Sequence, residues 1–123
     1  MLYIRVIDLY RQAGLAHQVL QVEADLVRDY AMNEAFLAVH PLHTSPDLTR
    51  ELQSSLIDLA RHDHAKAISS TAASDYRAAE QWYRVYLELF PDARDAAQMN
   101  LGLAGLYYDS GQYLQAAIEY ENT

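Results

Sequence analysis

Five histidines are the residues of this chain best suited to metal binding or acid–base chemistry. Two of them flank an aspartate in the triplet His62-Asp63-His64. Successive residues of an α-helix are rotated by about 100°, so these two imidazoles diverge by about 200° and cannot hold one ion. Asp58 and His62 do share a helix face, but two ligands make a poor metal site.

A second pair, His40 and His43, could chelate a metal from a loop that has Asp47 nearby. Solvated or hydrogen-bonded imidazoles account for the same residues without any metal. No serine, histidine and aspartate have the spacing of a nucleophile elbow or a catalytic triad. We therefore expect no metal, no cofactor and no enzymatic activity, and we keep an enzyme that uses the histidines as an alternative.

Composition excludes several classes of protein. The 123 residues include 17 acidic and 9 basic side chains, for a net charge of −8, and 51% are hydrophobic. One folded domain is expected, and nucleic acid is not expected as a partner because the basic residues form no cluster. No apolar run approaches the roughly 20 residues that cross a bilayer. The N-terminus lacks the apolar core of a signal peptide, which suggests a fragment or a processed chain.

The spacing of apolar residues predicts helices along most of the chain. The pattern breaks between about Ala31 and Ser45, with a short helical turn expected at Asn33 to Val39. Glu23 occupies an aromatic position of the second helix, and we interpret it as facing solvent or a missing neighbour. The predicted helices are a first one from Tyr3 that stops at Ala13-Gly14, a second from Leu15 to Tyr30, a long one from Pro46 to roughly Ser70 with Ser45 as N-cap, Asp75 through Phe90, Ala96 to Asp109 with Asp92 as N-cap, and Gln112 onward.

Small residues and tyrosines recur in the second half of the chain. Three positions of one segment map onto three of a later one at a constant offset: Tyr76, Ala79 and Tyr83 onto Tyr113, Ala116 and Tyr120. An alanine beside a large ring lets two antiparallel helices approach closely, and Gly102 and Gly105 are expected to do the same. We therefore predict that six tyrosines pack in the core, namely Tyr10, Tyr76, Tyr83, Tyr107, Tyr113 and Tyr120.

These positions resemble the tetratricopeptide repeat. The matching elements are Leu103-Ala104-x-x-Tyr107, Ala79-x-x-x-Tyr83, Ala116-x-x-x-Tyr120 and the terminal Pro91, whereas Asn100 replaces the family's tryptophan. The spacing between the repeats slightly exceeds the family's usual ~34 residues, as in repeats of bacterial cell-envelope proteins. This resemblance slightly favours the periplasm or envelope over the cytoplasm, but it does not determine the compartment.

The resemblance implies an all-α, antiparallel helix-pair array of the solenoid type, with about three repeats. It divides the single domain 1–123, expected to be a fragment of a longer repeat protein, into a degenerate repeat at 1–31, an extended repeat at 45–91 and a truncated repeat at 94–123. Solenoids of this kind use their concave face for ligands. Tyr108 follows the core residue Tyr107 and points about 100° away from it, toward that face. The side chains expected there are Arg61, His64, Ile68, Gln98, Leu101, Tyr108 and Asp109.

The function that the resemblance implies is a non-catalytic scaffold that binds a protein or peptide segment on this face. An ordinary solvated surface accounts for the same seven residues. A second hypothesis is a structural spacer that associates with its own copies, because the last helix of the chain lacks a polar cap.

Overall fold

The computed structural model describes residues 2–33 and 46–123. In these two ranges the chain forms helices and no β-strand, so the predicted all-α class is confirmed. The predicted turn beyond Asn33, the His40 and His43 pair and the Ser45 cap lie outside the described residues. The helices are α1 (Leu2–Gln12), α2 (Ala16–Leu26), a π-helical turn (Val27–Ala31), α3 (Pro46–Ser70), α4 (Ala73–Leu89), α5 (Ala96–Asp109) and α6 (Tyr113–Glu121).

The helices belong to two compact units, Met1–Asp58 (unit 1) and Leu59–Thr123 (unit 2). The division falls within α3, and therefore within the segment 45–91 that the sequence predicts to be one extended repeat. Each unit has buried apolar side chains of its own.

Glycines and one threonine mark the helix ends. Gly14 and Gly111 have φ values of +72° and +85°, a left-handed conformation that costs glycine little, and they close the turns after α1 and α5. Thr71, with φ of +56°, makes the turn between α3 and α4. The predicted cap at Asp92 is wrong: α5 begins at Ala96, and the preceding Asp95 makes no side-chain cap hydrogen bond.

Unit 1 packs α1 against α2 and the π turn. The Tyr3 hydroxyl donates a hydrogen bond to Asp29, and the Tyr3 ring meets the Tyr30 ring edge-on with centroids 5.7 Å apart. The α-helical pattern predicted to continue to Tyr30 changes into the π turn, whose wider winding alters the direction of the side chains that follow. The core of unit 1 includes Ile7, Val19, Leu26, Val27, Leu48, Leu52 and Leu56.

Glu23 corrects a prediction from the sequence. It faces neither solvent nor a missing neighbour, because its side chain is 0% exposed. The Arg11 guanidinium lies 3.5 Å from Glu23 Oε2, so the buried carboxyl group has a cation beside it. The position is therefore part of the interior of unit 1.

The core of unit 2 contains many small and aromatic side chains. Ala79 and Ala116 are both buried, which is the predicted packing of small residues between helices. The remaining core of this unit includes Trp82, Tyr83, Tyr86, Phe90, Met99, Leu103, Leu106 and Tyr107.

The tyrosine prediction holds only in part. Tyr83 and Tyr107 are buried, and Tyr10 and Tyr76 are half-buried. The prediction that Tyr120 packs in the core is wrong, because this residue is 48% exposed. The structure does not describe the side chain of Tyr113.

Tyr120 is exposed because α6 turns a different residue inward. Glu119 is nearly buried, and its carboxylate lies 3.8 Å from the Arg84 guanidinium. Arg84 also donates a hydrogen bond to the Tyr107 hydroxyl and lies 5.7 Å from the centre of that ring. This cation on α4 therefore ties α5 and α6 together and fixes which face of α6 is inside.

Candidate functional site

His64 on α3 connects the two neighbouring helices of unit 2. Its Nδ1 lies 2.8 Å from the Tyr83 hydroxyl of α4, and its Nε2 lies 3.3 Å from Asp109 Oδ2 at the end of α5. A neutral imidazole has one donor and one acceptor nitrogen. Since a carboxylate can only accept, Nε2–H donates to Asp109 and Nδ1 accepts from the Tyr83 hydroxyl. The three side chains form one hydrogen-bonded chain, which we call the Tyr83–His64–Asp109 network.

Gly102 provides the space for this network. A Cβ atom at position 102 would lie 2.5 Å from Tyr83 Cε1 and 2.7 Å from the hydroxyl oxygen, so any side chain there would displace the tyrosine. A Cβ atom at Gly105 would lie 3.9 Å from His64 Cε1, which is an ordinary contact. The close helix packing predicted for both glycines is therefore a requirement at Gly102 only.

A second polar contact adjoins the network. Trp82 Nε1 donates a 2.7 Å hydrogen bond to Asp63 Oδ2, so two successive residues of α3 bind two successive residues of α4. Paired contacts of this kind fix how far one helix is shifted along the other. The His64 and Tyr83 rings also meet edge-on, with centroids 5.8 Å apart.

The network positions groups and does not suggest acid–base catalysis. Tyr83 is almost completely buried, and this burial raises the pKa of its hydroxyl above the ordinary value, so the group stays protonated and donates to His64. The nearby Arg61 charge opposes that shift in pKa. A buried phenol cannot reach a substrate, whereas Asp109 at the other end of the network is exposed.

The seven residues predicted to bind a partner all lie in unit 2, on α3 and α5. His64 and Asp109 are in direct contact, and Arg61 is near enough to influence Tyr83. The other four residues are exposed. Ile68 lies on α3, and α5 carries Gln98, Leu101 and Tyr108.

Two partners of this site were not predicted. The sequence analysis assigned Tyr83 to core packing alone, although it is also the hydrogen-bond donor to His64. Tyr76 was treated in the same way, and its hydroxyl approaches the Asp109 carbonyl oxygen at 3.5 Å. Gly102 was the available signal, because a glycine inside a helix marks a close approach by another group.

In the described ranges, 2–33 and 46–123, no three histidine, aspartate or glutamate side chains are placed to ligate one metal ion. No helix within those ranges combines the length and apolar character needed to cross a bilayer. Comparison of the chain with protein-family models, with curated proteins and with solved structures gave no significant match.

Proposed function

We propose that this chain is a tetratricopeptide-like scaffold that binds an extended peptide segment of a protein partner without catalysing a reaction. The binding surface is the exposed face of α3 and α5 in unit 2. It consists of Arg61, His64, Ile68, Gln98, Leu101, Tyr108 and Asp109, and we call it the α3–α5 face.

The observation that carries the proposal is the exposure of large apolar side chains on these two helices. Tyr108 is 59% exposed, and Ile68 and Leu101 are exposed as well. Exposed apolar groups that lie among charged ones are typical of protein-binding surfaces, and tyrosine and arginine often contribute most of the affinity. Asp109 and Arg61 offer one charge of each sign, so both polar and apolar groups of a peptide would find partners.

The Tyr83–His64–Asp109 network supports this proposal because it holds the surface in one conformation. His64 and Asp109 belong to the α3–α5 face, and the network ties them to the buried Tyr83. A surface that is already ordered loses less conformational entropy on binding a peptide.

A peptide array followed by calorimetry tests this function. The chain is applied to an array of 15-residue peptides, and the strongest ligands are titrated against the wild type and variants. We expect Tyr108→Ala to weaken binding at least about tenfold. The matched control is Tyr120→Ala, since Tyr120 is a tyrosine of similar exposure (48%) on α6.

Arg61→Glu, with Arg94→Glu as its control, tests the charge on the same face. We expect the first to weaken binding and the second to leave it unchanged, because both arginines are exposed but only Arg61 is on the α3–α5 face. Equal effects of test and control variants would refute the assignment of the face. An array without any ligand would argue against the scaffold function itself.

Self-association is a second candidate function, and α6 favours it. Leu114 and Ile118 are one helical turn apart on this helix, and both are exposed, Leu114 by 72%. Covering them with α6 of another copy would bury this apolar face. Sedimentation velocity over a hundredfold range of concentration checks the idea: the wild type should shift to a dimer, and Leu114→Gln/Ile118→Gln should not. A wild type that stays monomeric throughout would exclude it.

A further inference from the structure

A pocket in unit 1 combines an apolar wall with an acidic floor. Its volume is about 380 Å³, within the range of small-molecule sites. Leu15, Val19 and Leu20 form the wall, and Arg11, Glu23 and Asp58 form the polar side. We call it the α2 pocket, because most of its lining belongs to α2 or the turn before it.

The charges around this pocket are unbalanced. Arg11 is the cation among them, and its Nη2 lies 3.5 Å from Glu23 Oε2, 3.5 Å from Glu51 Oε1 and 3.8 Å from Asp58 Oδ2. Its Nη1 lies 3.7 Å from Asp8 Oδ1. One guanidinium therefore faces four carboxyl groups, and it cannot neutralise all of them.

One oxygen of the carboxyl cluster around Arg11 has no donor in the ranges 2–33 and 46–123. Glu23 Oε1 is buried and has no hydrogen-bond partner among the described residues, although Glu23 itself lines the pocket. A buried carboxylate oxygen without a donor is costly. Burial and the neighbouring Asp58 raise the pKa of Glu23 to about 8, so this carboxyl group holds a proton at neutral pH. Once Glu23 is ionised, its Oε1 can accept a hydrogen bond from another cation.

We propose that the α2 pocket binds a small organic ammonium ion, whose charged group donates a hydrogen bond to Glu23 Oε1 and whose apolar body packs against Leu15, Val19 and Leu20. An ammonium group offers three donors, enough for Glu23 Oε1 and the Asp58 carboxylate together. The apolar wall favours a ligand with an apolar body, because packing against these side chains removes hydrocarbon from water. A bare metal ion fits less well, because it needs more oxygen ligands than Glu23 Oε1 and Asp58 supply.

Binding by this mechanism depends on pH in a defined direction. The ligand binds the ionised form of Glu23, so below a pKa of about 8 each unit of pH costs roughly tenfold in affinity. Affinity should therefore rise about tenfold from pH 6 to pH 7 and level off above about pH 8, with close to one proton released at pH 7. The groups that act on Glu23 are Arg11, Ser55 and Asp58, and Asp8 and Glu51 share the Arg11 guanidinium with it.

Calorimetry on the full chain with 2-phenylethylammonium tests the proposal. The uncharged control ligand is 2-phenylethanol, which has the same apolar body. The amine should bind at least about tenfold more tightly than the alcohol. Titrations in two buffers of different ionisation enthalpy measure the released proton. No binding of the amine at millimolar concentration, or equal binding of amine and alcohol, would overturn the proposal.

Two variants locate the site. Glu23→Gln keeps the shape of the side chain but removes its charge, and it should abolish both the tenfold preference for the amine and the proton release. Asp25→Asn is the control, because Asp25 lies on the same helix with its side chain exposed and paired to Arg28. If Glu23→Gln binds the amine as the wild type does, the site is not at Glu23. If that variant does not fold, the ligand comparison and the proton release in the wild type still decide the question.

Discussion

Units 1 and 2 both bury polar side chains between helices, but the chemistry differs. Unit 1 has several carboxyl groups around Arg11, and Glu23 Oε1 has no donor within the part of the chain that the structure describes. In unit 2, the Tyr83–His64–Asp109 network gives each of its groups a partner. A cluster with an unpaired oxygen keeps a capacity to bind a proton or a cation, whereas a network with its bonds made mainly fixes geometry. Our two proposals therefore assign different tasks to the units, ligand binding to unit 1 and presentation of a surface to unit 2.

Removing the cation of unit 1 should give the largest effect. Arg11→Met leaves the buried carboxyl group of Glu23 without its charge partner. We expect a loss of about 2–3 kcal/mol in unfolding free energy at pH 9, less than for a fully buried pair because the Arg11 side chain is 39% exposed. The loss should be smaller at pH 5, where Glu23 is protonated. Chemical denaturation followed by circular dichroism measures both values, and equal losses at the two pH values would contradict the role of charge.

The pH dependence of stability distinguishes the carboxyl cluster around Arg11 in unit 1 from the Tyr83–His64–Asp109 network in unit 2. The pKa of Glu23 is about 8 in the folded chain against an ordinary value of 4.5, so the folded state holds a proton that the unfolded state has released between these pH values. Stability therefore falls as pH rises from about 4.5 to about 8. Glu51 adds to the fall, because burial also raises its pKa.

Glu23→Gln isolates the contribution of this one group. The variant should match the wild type near pH 4.5 and become increasingly more stable than it as pH rises to 9, because the wild type must then bury an ionised carboxylate. Asp25→Asn again serves as the control and should follow the wild-type curve. Parallel curves for wild type and Glu23→Gln would show that Glu23 does not titrate as described.

A steric change tests unit 2. Gly102→Ala places a methyl group 2.5 Å from the Tyr83 ring and should destabilise the protein by about 1–2 kcal/mol, the overpacking cost reduced by the better helix propensity of alanine. Gly105→Ala is the control, because its methyl group has room and should be neutral or stabilising. Fluorescence of Trp82, the one tryptophan, reports on unit 2 directly. Equal melting temperatures for the two variants would rule out the tight contact.

Local signals in the sequence predicted the helices, whereas long-range contacts determined which polar side chains are buried and which groups they pair with. Gly14, Gly111 and Pro46 mark helix boundaries through their own backbone preferences, so they could be recognised without knowing their neighbours. Glu23 is buried beside Arg11, twelve residues away, which also contacts two carboxyl groups of α3. No periodicity within α2 contains that information.

The same contrast between local signals and long-range contacts applies to the candidate site. Helical geometry assigned His64 and Asp109 to one face. Their direct contact joins positions 45 residues apart, so local geometry could not predict it. The sequence analysis assigned Tyr83 to the core alone. The exposure of Tyr120 has a similar cause. The face of α6 that turns inward is set by Glu119 and Arg84, a pair of charges from different helices.

The smallest expected effect concerns the hydroxyl group that starts the network. Tyr83→Phe removes the donor to His64 Nδ1 but keeps the ring beside Gly102, so the loss should be that of one hydrogen bond, about 1 kcal/mol. Tyr86→Phe is the control, since Tyr86 is equally buried on α4 but does not belong to the network. If the network orders the α3–α5 face, Tyr83→Phe should also speed amide hydrogen exchange near Asp109, and Tyr86→Phe should not. Unchanged exchange in both variants would mean that packing alone holds this surface, and that the hydrogen bonds of unit 2 do not prepare it for a partner.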